Sequence, residues 1–346
     1  MSAATTLPTS EAKHHLRVVT NSELRTWRLC ARRHKFQYIA RRRPRKTHEA
    51  LAFGTLWHLG LEHWWSTTGE GRLSAGLAAL RSSPGADPYA LAVCETMLAA
   101  YTALYGDQDL ETVCVEQSFE VPLVNPETGV ASRTFRLGGK FDGIAREPAG
   151  RLVVVEHKTT ASDIEQGSLY WKKVHSLDTQ VSLYLSGARA AGYAVEACLY
   201  DCARKPGIKP LRATPEESRK WTRPTKADPA PRLYANQREH DETPEEYAQR
   251  VADDIAERPE RYFARGEVVR LEKDDDGHAY DTWQQARMMR EAELAGFAPK
   301  NPDSCSSFGG CPYLPVCSNE TTIDDDSLYR TADTAHEELS TETAES

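Results

Sequence analysis

The chain has no run near the ~20 apolar residues that a membrane-spanning helix needs. Its opening, Met1 to His15, has no apolar stretch of the kind that begins a secretory signal. These two absences set the expectation of no membrane partner and a cytoplasmic location. No G-x-x-x-x-G-K-[ST] loop is present, so strand separation, if the chain's work requires it, would come from a helicase or recombination partner. No internal repeat is visible, which sets aside solenoids and propellers. Acidic residues are missing from one segment: Arg25 to Lys46 holds ten Lys and Arg and not one Asp or Glu.

What is present is 346 residues, 40% hydrophobic and 27% charged, enough to bury a large core in one big domain or two ordinary ones. A net charge of -8 argues at first against nucleic acid, whose binders are usually basic. Its distribution changes that reading. Residues 318–346 hold nine acids and one Arg, and the rest of the chain balances at 42 basic against 42 acidic residues. The last segment has little to bury and is expected to be a disordered acidic tail, able to compete with DNA for the basic stretch.

Thr20-Asn21-Ser22-Glu23 has the form of a capping box and predicts a helix to about Tyr38, with Leu24, Trp27 and Cys30 at helical spacing. A second helix is expected over residues 51–65, where Phe53, Leu56, Trp57, Gly60, Leu61 and Trp64 form an apolar stripe. A third runs over residues 75–105, broken near Ser82 to Gly85. Strand patterns follow at residues 112–123, 134–145 and 152–159, then a helix over residues 177–191 and a strand over residues 195–202. This order indicates an α/β domain with a central mixed sheet. Residues 207–300 are polar and Pro-rich, with weak helices near 244–257 and 280–295, and read as an insertion on the same domain.

The sharpest feature is Gly139-Lys140-Phe141-Asp142-Gly143 followed by Val153-Val154-Val155-Glu156-His157-Lys158. Strand alternation puts Glu156 and Lys158 on one face and His157 on the other. Asp142 and Glu156 are equidistant from residue 149, at the turn, so an antiparallel hairpin sets them opposite each other, ~5 Å apart at Cβ. Two carboxylates so placed destabilise a sheet unless a hard cation such as Mg²⁺ or Mn²⁺ lies between them. A solvated cross-strand network is the plainer alternative. With a metal, the group suits phosphodiester hydrolysis, with Lys158 orienting the water or offsetting charge at phosphorus. His58 lies beside the apolar stripe with Glu62 one turn on. Gln180 and Tyr184 share a helix face; packing roles would also explain both.

Together, Phe53 to His58 (FGTLWH), Asp142, Glu156 to Lys158 (EHK) and Gln180 to Tyr184 (QVSLY) resemble the PD-(D/E)XK nuclease superfamily, and within it the RecB-like branch of CRISPR-associated Fe–S exonucleases and phage exonucleases. The resemblance implies a restriction-endonuclease-like α/β core with a mixed sheet flanked by helices, N-terminal helices and a C-terminal Cys loop. It implies His58, Asp142 and Glu156 as ligands of Mg²⁺ or Mn²⁺, with His157 adding its backbone carbonyl. Lys158 would be the catalytic lysine, and Gln180 and Tyr184 would contact DNA or order the site. The family's proline before the first acid is replaced by Phe141. The domain is expected to span residues 20–317, after a flexible leader at 1–19. Arg32, Arg33, Arg41, Arg42, Arg43, Lys172, Lys173 and Lys205 are candidates for phosphate contacts.

Eight cysteines without an export signal argue against a disulfide framework. Cys94, Cys114, Cys198 and Cys202 sit in apolar or strand surroundings and read as buried thiols. Cys305, Cys311 and Cys317 form C-x5-C-x5-C, and Cys30 stands alone in the first helix. Zinc ligands usually come in nearby pairs. The RecB-like resemblance instead implies a 4Fe–4S cluster on Cys30, Cys305, Cys311 and Cys317, although the first gap is longer than is common there; zinc or no metal stay open. The reading is a metal-dependent deoxyribonuclease, with an exonuclease acting on single strands or duplex ends as the expected form. A catalytically inactive DNA-binding or scaffold protein of the same fold is the alternative.

Overall fold

A computed structural model describes residues 16–46, 49–223 and 230–339; the flexible leader expected at 1–19 lies mostly outside them. A short strand, β1 (Arg17–Thr20), passes directly into helix α1 (Asn21–Leu29). Thr20 caps it by accepting a hydrogen bond from the Glu23 amide at 3.2 Å. The capping box is only half formed, because the Glu23 carboxylate turns away to His34 and Arg17. The expected continuous helix is also interrupted: Cys30 is extended at φ −165°. The chain then resumes as α2 (Ala31–His34) and a π-helical turn over Lys35–Ile39.

After strand β2 (Arg42–Pro44) come three helices, α3 (Glu49–Ser66), α4 (Gly71–Ser82) and α5 (Pro88–Tyr105). The break between α4 and α5 falls where Ser-Ser-Pro-Gly predicts it. Asp87 caps α5 through the Ala90 amide at 2.9 Å, with Pro88 in the first turn. Strands β3 (Glu111–Val124), β4 (Ala131–Arg146) and β5 (Leu152–Thr160) follow, then helices α6 (Leu169–Leu177) and α7 (Thr179–Ala190) and strand β6 (Val195–Arg204). The rest of the described chain carries α8 (Pro244–Glu257), β7 (Phe263–Val268), α9 (Glu272–Leu294), α10 (Leu314–Cys317) and β8 (Tyr329–Thr331).

Six strands form one mixed sheet. β3 runs antiparallel along β4, whose other edge is shared. There β1 pairs in parallel with residues 135–138, and β5 pairs antiparallel with residues 143–146. β6 lies parallel to β5, and β7 antiparallel to β6. One face buries Phe119, Phe141, Val154, Trp171, Leu185 and Met289 against α7 and α9. The other buries Trp57, Trp64, Met97, Tyr101, Val153, Val155 and Val251 under α3, α5 and α8. The mixed, helix-flanked sheet is the α/β architecture expected.

Two organisational expectations need correction. The segment read as an insertion supplies β7, a strand of the main sheet, and helices on both faces, so most of it belongs to the core; residues 224–229 lie outside the described residues. The acidic segment is not a free tail over residues 318–339. β8 pairs antiparallel with β2, and Tyr329 and Ala332 are buried. Burial of these apolar groups, together with arginine pairing, outweighs the self-repulsion that the composition suggests.

Candidate active site

The β4–β5 ladder has Gly143 opposite Val155 and Arg146 opposite Leu152. Continued by one rung, this register sets Asp142 against Glu156, as the hairpin arithmetic requires. The ladder stops there. The His157 amide donates instead to the Asp142 carboxylate at 2.7 Å, so Asp142 takes the place of a backbone acceptor as β5 diverges from β4. The strand pleat also changes phase here: Phe141 and Ile144 enter the same core although strict alternation would separate them. On the partner strand Glu116 adopts φ 52°, a left-handed conformation costly for a non-glycine residue.

Glu156 is buried; its Oε1 is paired with the Lys158 ammonium, and its Oε2 has no hydrogen-bond partner among the described residues. Burial pushes its pKa up to about 8; Lys158 opposes that and Asp142 adds to it. Against its own burial, Lys158 is held above the usual lysine value by Glu156 and Asp142. His58, on α3, brings Nδ1 to 3.7 Å from Asp142 Oδ1, and burial lowers its pKa despite Asp142. His58 is therefore disposed to be neutral, the form that can donate a lone pair.

Gln180 and Tyr184 lie on α7, where Gln180 Nε2 donates to the Tyr184 hydroxyl at 2.7 Å. Tyr184 is buried; burial, with Glu156, Asp142 and Glu116 nearby, raises its pKa well above 10.0. Asp178 starts the helix by accepting from the Gln180 amide at 2.9 Å, and its other oxygen accepts from the Tyr200 hydroxyl at 3.0 Å.

The His157 ring points to the opposite face. Its Nδ1 is 3.1 Å from Asp201 Oδ2, and Arg265 Nε is 3.1 Å from Asp201 Oδ1. These three residues are cross-strand neighbours on β5, β6 and β7. The Tyr101 hydroxyl also donates to Asp201, and the Arg265 guanidinium lies 3.8 Å from the Tyr105 ring centroid. Despite burial, Arg265 and the hydrogen bond from His157 hold Asp201 well below the carboxylate range. The network fixes His157, and with it the backbone between Glu156 and Lys158.

Sequence reading missed Glu116, Lys140 and the Asp201–Arg265 pair. Glu116 pairs with Lys140; burial and Asp142 raise its pKa. In sequence it is a polar residue in an alternating strand, and only the register of β3 on β4 brings it beside Asp142.

Among the described residues, no group of three or more His, Cys, Asp or Glu side chains is already arranged to hold a metal ion. The donor chemistry nevertheless fits a hard divalent cation: a buried carboxylate whose one partner is a lysine ammonium, a second carboxylate one rung away and an uncharged imidazole beside it.

The four cysteines singled out by spacing are all free and partly buried. Burial raises the pKa of Cys311 and Cys317, and each also responds to the charge of Cys30. Asn301 Nδ2 donates to the Leu29 carbonyl at 2.9 Å, and the Arg32 amide to the Pro299 carbonyl at 3.0 Å. These bonds bring the first helix to the Cys loop. Four thiols suit a 4Fe–4S cluster.

Most of the basic stretch is engaged within the fold. Arg32 Nε donates to the Ala298 carbonyl at 2.8 Å, and Arg41 Nη1 to the Asp333 carbonyl at 2.7 Å. Arg42 is buried, bonding the Ile323 carbonyl, Thr331 Oγ1 and Asp326 at 2.8 Å each. Arg43 donates to the Ala335 carbonyl at 2.7 Å and covers the Tyr38 ring. Arg32, Arg41, Arg42 and Arg43 therefore hold C-terminal residues. Arg33 lies 3.5 Å from Gln37 Oε1, whereas Lys172 and Lys173 are exposed on α6.

The family model of the PD-(D/E)XK nuclease superfamily matches residues 18–318. No curated protein matches the chain. Among solved structures, a candidate exonuclease from Eubacterium rectale is 10% identical, covering 87% of this chain and 92% of its own, with a TM-score of 0.44. The structure of SSO0001 is 13% identical, covering 90% of this chain and 92% of its own, with a TM-score of 0.33.

Proposed function

Because the chain belongs to the PD-(D/E)XK nuclease superfamily, we propose that it hydrolyses phosphodiester bonds in DNA with Mg²⁺ or Mn²⁺, acting as an exonuclease in DNA processing, recombination or repair. The observation that carries this reading is the Asp142–Glu156 rung, with the Glu156 carboxylate buried and paired only with the Lys158 ammonium, one oxygen left without a partner. His58, Asp142, Glu156 and the His157 carbonyl would hold the metal. Bound there, the metal would polarise the phosphoryl oxygen and acidify a water. Lys158 retains its proton and offsets negative charge gathering at phosphorus. Tyr184, tied to Gln180, orders the wall opposite the carboxylates and keeps water out of it. The Asp201–Arg265 pair holds His157 so that Glu156 and Lys158 keep their spacing. A 4Fe–4S cluster on Cys30, Cys305, Cys311 and Cys317 would join α1 to the Cys loop as a structural clamp.

End-labelled single- and double-stranded DNA with Mn²⁺ tests the activity. Wild type is expected to degrade it, with Asp142→Ala and Lys158→Ala slower by about 10²–10³-fold or more. No Mn²⁺-dependent cleavage, or cleavage unchanged in both variants, overturns the reading. Iron content and a brown colour after anaerobic purification test the cluster independently.

A further inference from the structure

At the end of β6 the chain leaves the sheet through Arg204 and Lys205, beside the turn that links α8 to β7. Between these segments lies a cavity of about 230 Å³ whose lining includes Arg204, Lys205, Asp254, Arg258, Arg261 and Tyr262. Four cations thus surround a hollow with one carboxylate. That carboxylate is satisfied within the wall: Asp254 accepts from Arg258 at 2.8 Å and from the Tyr262 hydroxyl. The Arg204 and Arg261 side chains make no hydrogen bond or ion pair among the described residues. Lys205 Nζ sits 5.3 Å from the centroid of Phe53, on the helix that carries His58. Like charges around a concavity repel one another and focus a positive field into it, which an anion relieves.

The cavity lies past the same strand ends that carry the candidate active site, on the side of α3 and α8. β6 runs parallel to β5 with Cys202 opposite Lys158 and Arg204 opposite Thr160, and the Lys205 amide donates to the Thr160 carbonyl at 2.8 Å. Two residues of strand separate the Lys158 rung from that of Arg204, about 7 Å. The volume lies below the ~300 Å³ at which small-molecule pockets begin, which suits a phosphate group and not a whole nucleotide. Guanidinium forks match phosphate oxygens in pairs.

We propose that this pocket binds a phosphate of the substrate strand adjacent to the scissile one, with Arg204 and Arg261 as its principal ligands. The proposal rests on the nuclease reading for its substrate. A terminal phosphate and an internal phosphodiester share the chemistry, and the choice of oligonucleotide ends separates them.

The test compares the full-length wild type with Arg204→Gln/Arg261→Gln. Fluorescence anisotropy is read with single-stranded oligonucleotides ending in 5′-phosphate, 3′-phosphate or hydroxyl, in EDTA across a salt series. Mn²⁺-dependent cleavage of the same strands is measured in parallel. The double variant is expected to bind at least tenfold more weakly, with a salt slope shallower by about 0.7, the contribution of one single-strand phosphate contact. A loss confined to one phosphorylated end identifies the terminal group; an equal loss on all three identifies an internal phosphate. Wild-type affinity and salt slope in the double variant overturn the pocket, and cleavage by wild type then leaves the nuclease reading intact. Wild type that binds but never cleaves overturns the nuclease reading, and the binding arm alone judges the pocket. Melting midpoints check folding, with Arg204→Gln alone as the milder second variant.

Discussion

Glu23 is hydrogen-bonded to His34 Nε2 at 2.7 Å and ion-paired with His336 Nε2 and Arg17 Nη2 at 3.1 Å each while only 1% exposed. Against the upward push of burial, those partners bring its pKa down to about 2, and His336 rises to about 9. The Glu23 share of stability is complete above its ordinary 4.5 and fades as pH falls toward 2. The His336 share is complete below its ordinary 6.5 and fades as pH rises through 9. The two shifts share the Glu23–His336 contact and are not added; with His34, Arg17 and Glu338 carrying part of each, that contact contributes less than about 3 kcal/mol. The melting midpoint of His336→Gln should therefore fall furthest below wild type between pH 4.5 and 6.5, and the gap should close toward pH 9. A gap that stays constant from pH 5 to 9 would refute the assignment. The proposed metal site gives a second expectation at this scale. Mn²⁺ at about 100 times its dissociation constant should stabilise wild type by about 2.7 kcal/mol. Asp142→Ala should lose that gain, and thermal denaturation with and without Mn²⁺ reads it directly. The Asp142–Glu156 rung was legible in the sequence because hairpin symmetry about the turn needs no tertiary information. Glu116 was not, since its position depends on how β3 slides along β4 past a left-handed residue.

Helices and strands were legible where the apolar pattern is local and strong. The stripe of α3, the β4–β5 hairpin and the α8 helix fall close to the expected bounds. β7 escaped because Gly266 interrupts its pattern. The glycine answers to packing: a Cβ there would lie 2.6 Å from the Trp171 ring. Cys30 looked like mid-helix because its neighbours have helical spacing; the extended break follows from bonds between residues 29–32 and 298–301. Phe119 shows the same dependence on tertiary fit. A Cβ at Gly187 would stand 2.3 Å from its ring, and one at Gly139 2.8 Å away. Gly187→Ala should therefore push α7 off the sheet, costing about 1–3 kcal/mol in urea denaturation. Because α7 carries Gln180 and Tyr184, cleavage should fall with it. A variant with wild-type stability would show that Phe119 can yield without moving the helix.

The charge of the whole molecule is arranged as an internal clasp. The basic stretch and the acidic segment lie at opposite ends of the chain, and the structure joins them through β2 and β8. Tyr329 stacks on Tyr313 with ring centroids 5.6 Å apart, and its hydroxyl donates to the Pro312 carbonyl at 2.9 Å. Tyr313 in turn donates to the Arg42 carbonyl at 2.6 Å. From the sequence alone, deletion after residue 318 should leave DNA binding unchanged or tighter, because a loose acidic competitor is removed. In the folded protein the same deletion strips Arg42 of all its side-chain partners and exposes Tyr313 on the Cys loop. The deletion also removes the buried Tyr329 and Ala332, whose apolar area stabilises the fold at about 25 cal/mol per Å². The truncated chain should therefore melt well below wild type and, with the proposed cluster on the Cys loop, hold less iron than the full chain when both are purified anaerobically. Any gain in DNA affinity should be confined to temperatures below its own transition. A truncated chain with the wild-type melting curve would mean that the clasp neutralises charge without supporting the fold, and would restore the picture of a detachable acidic tail.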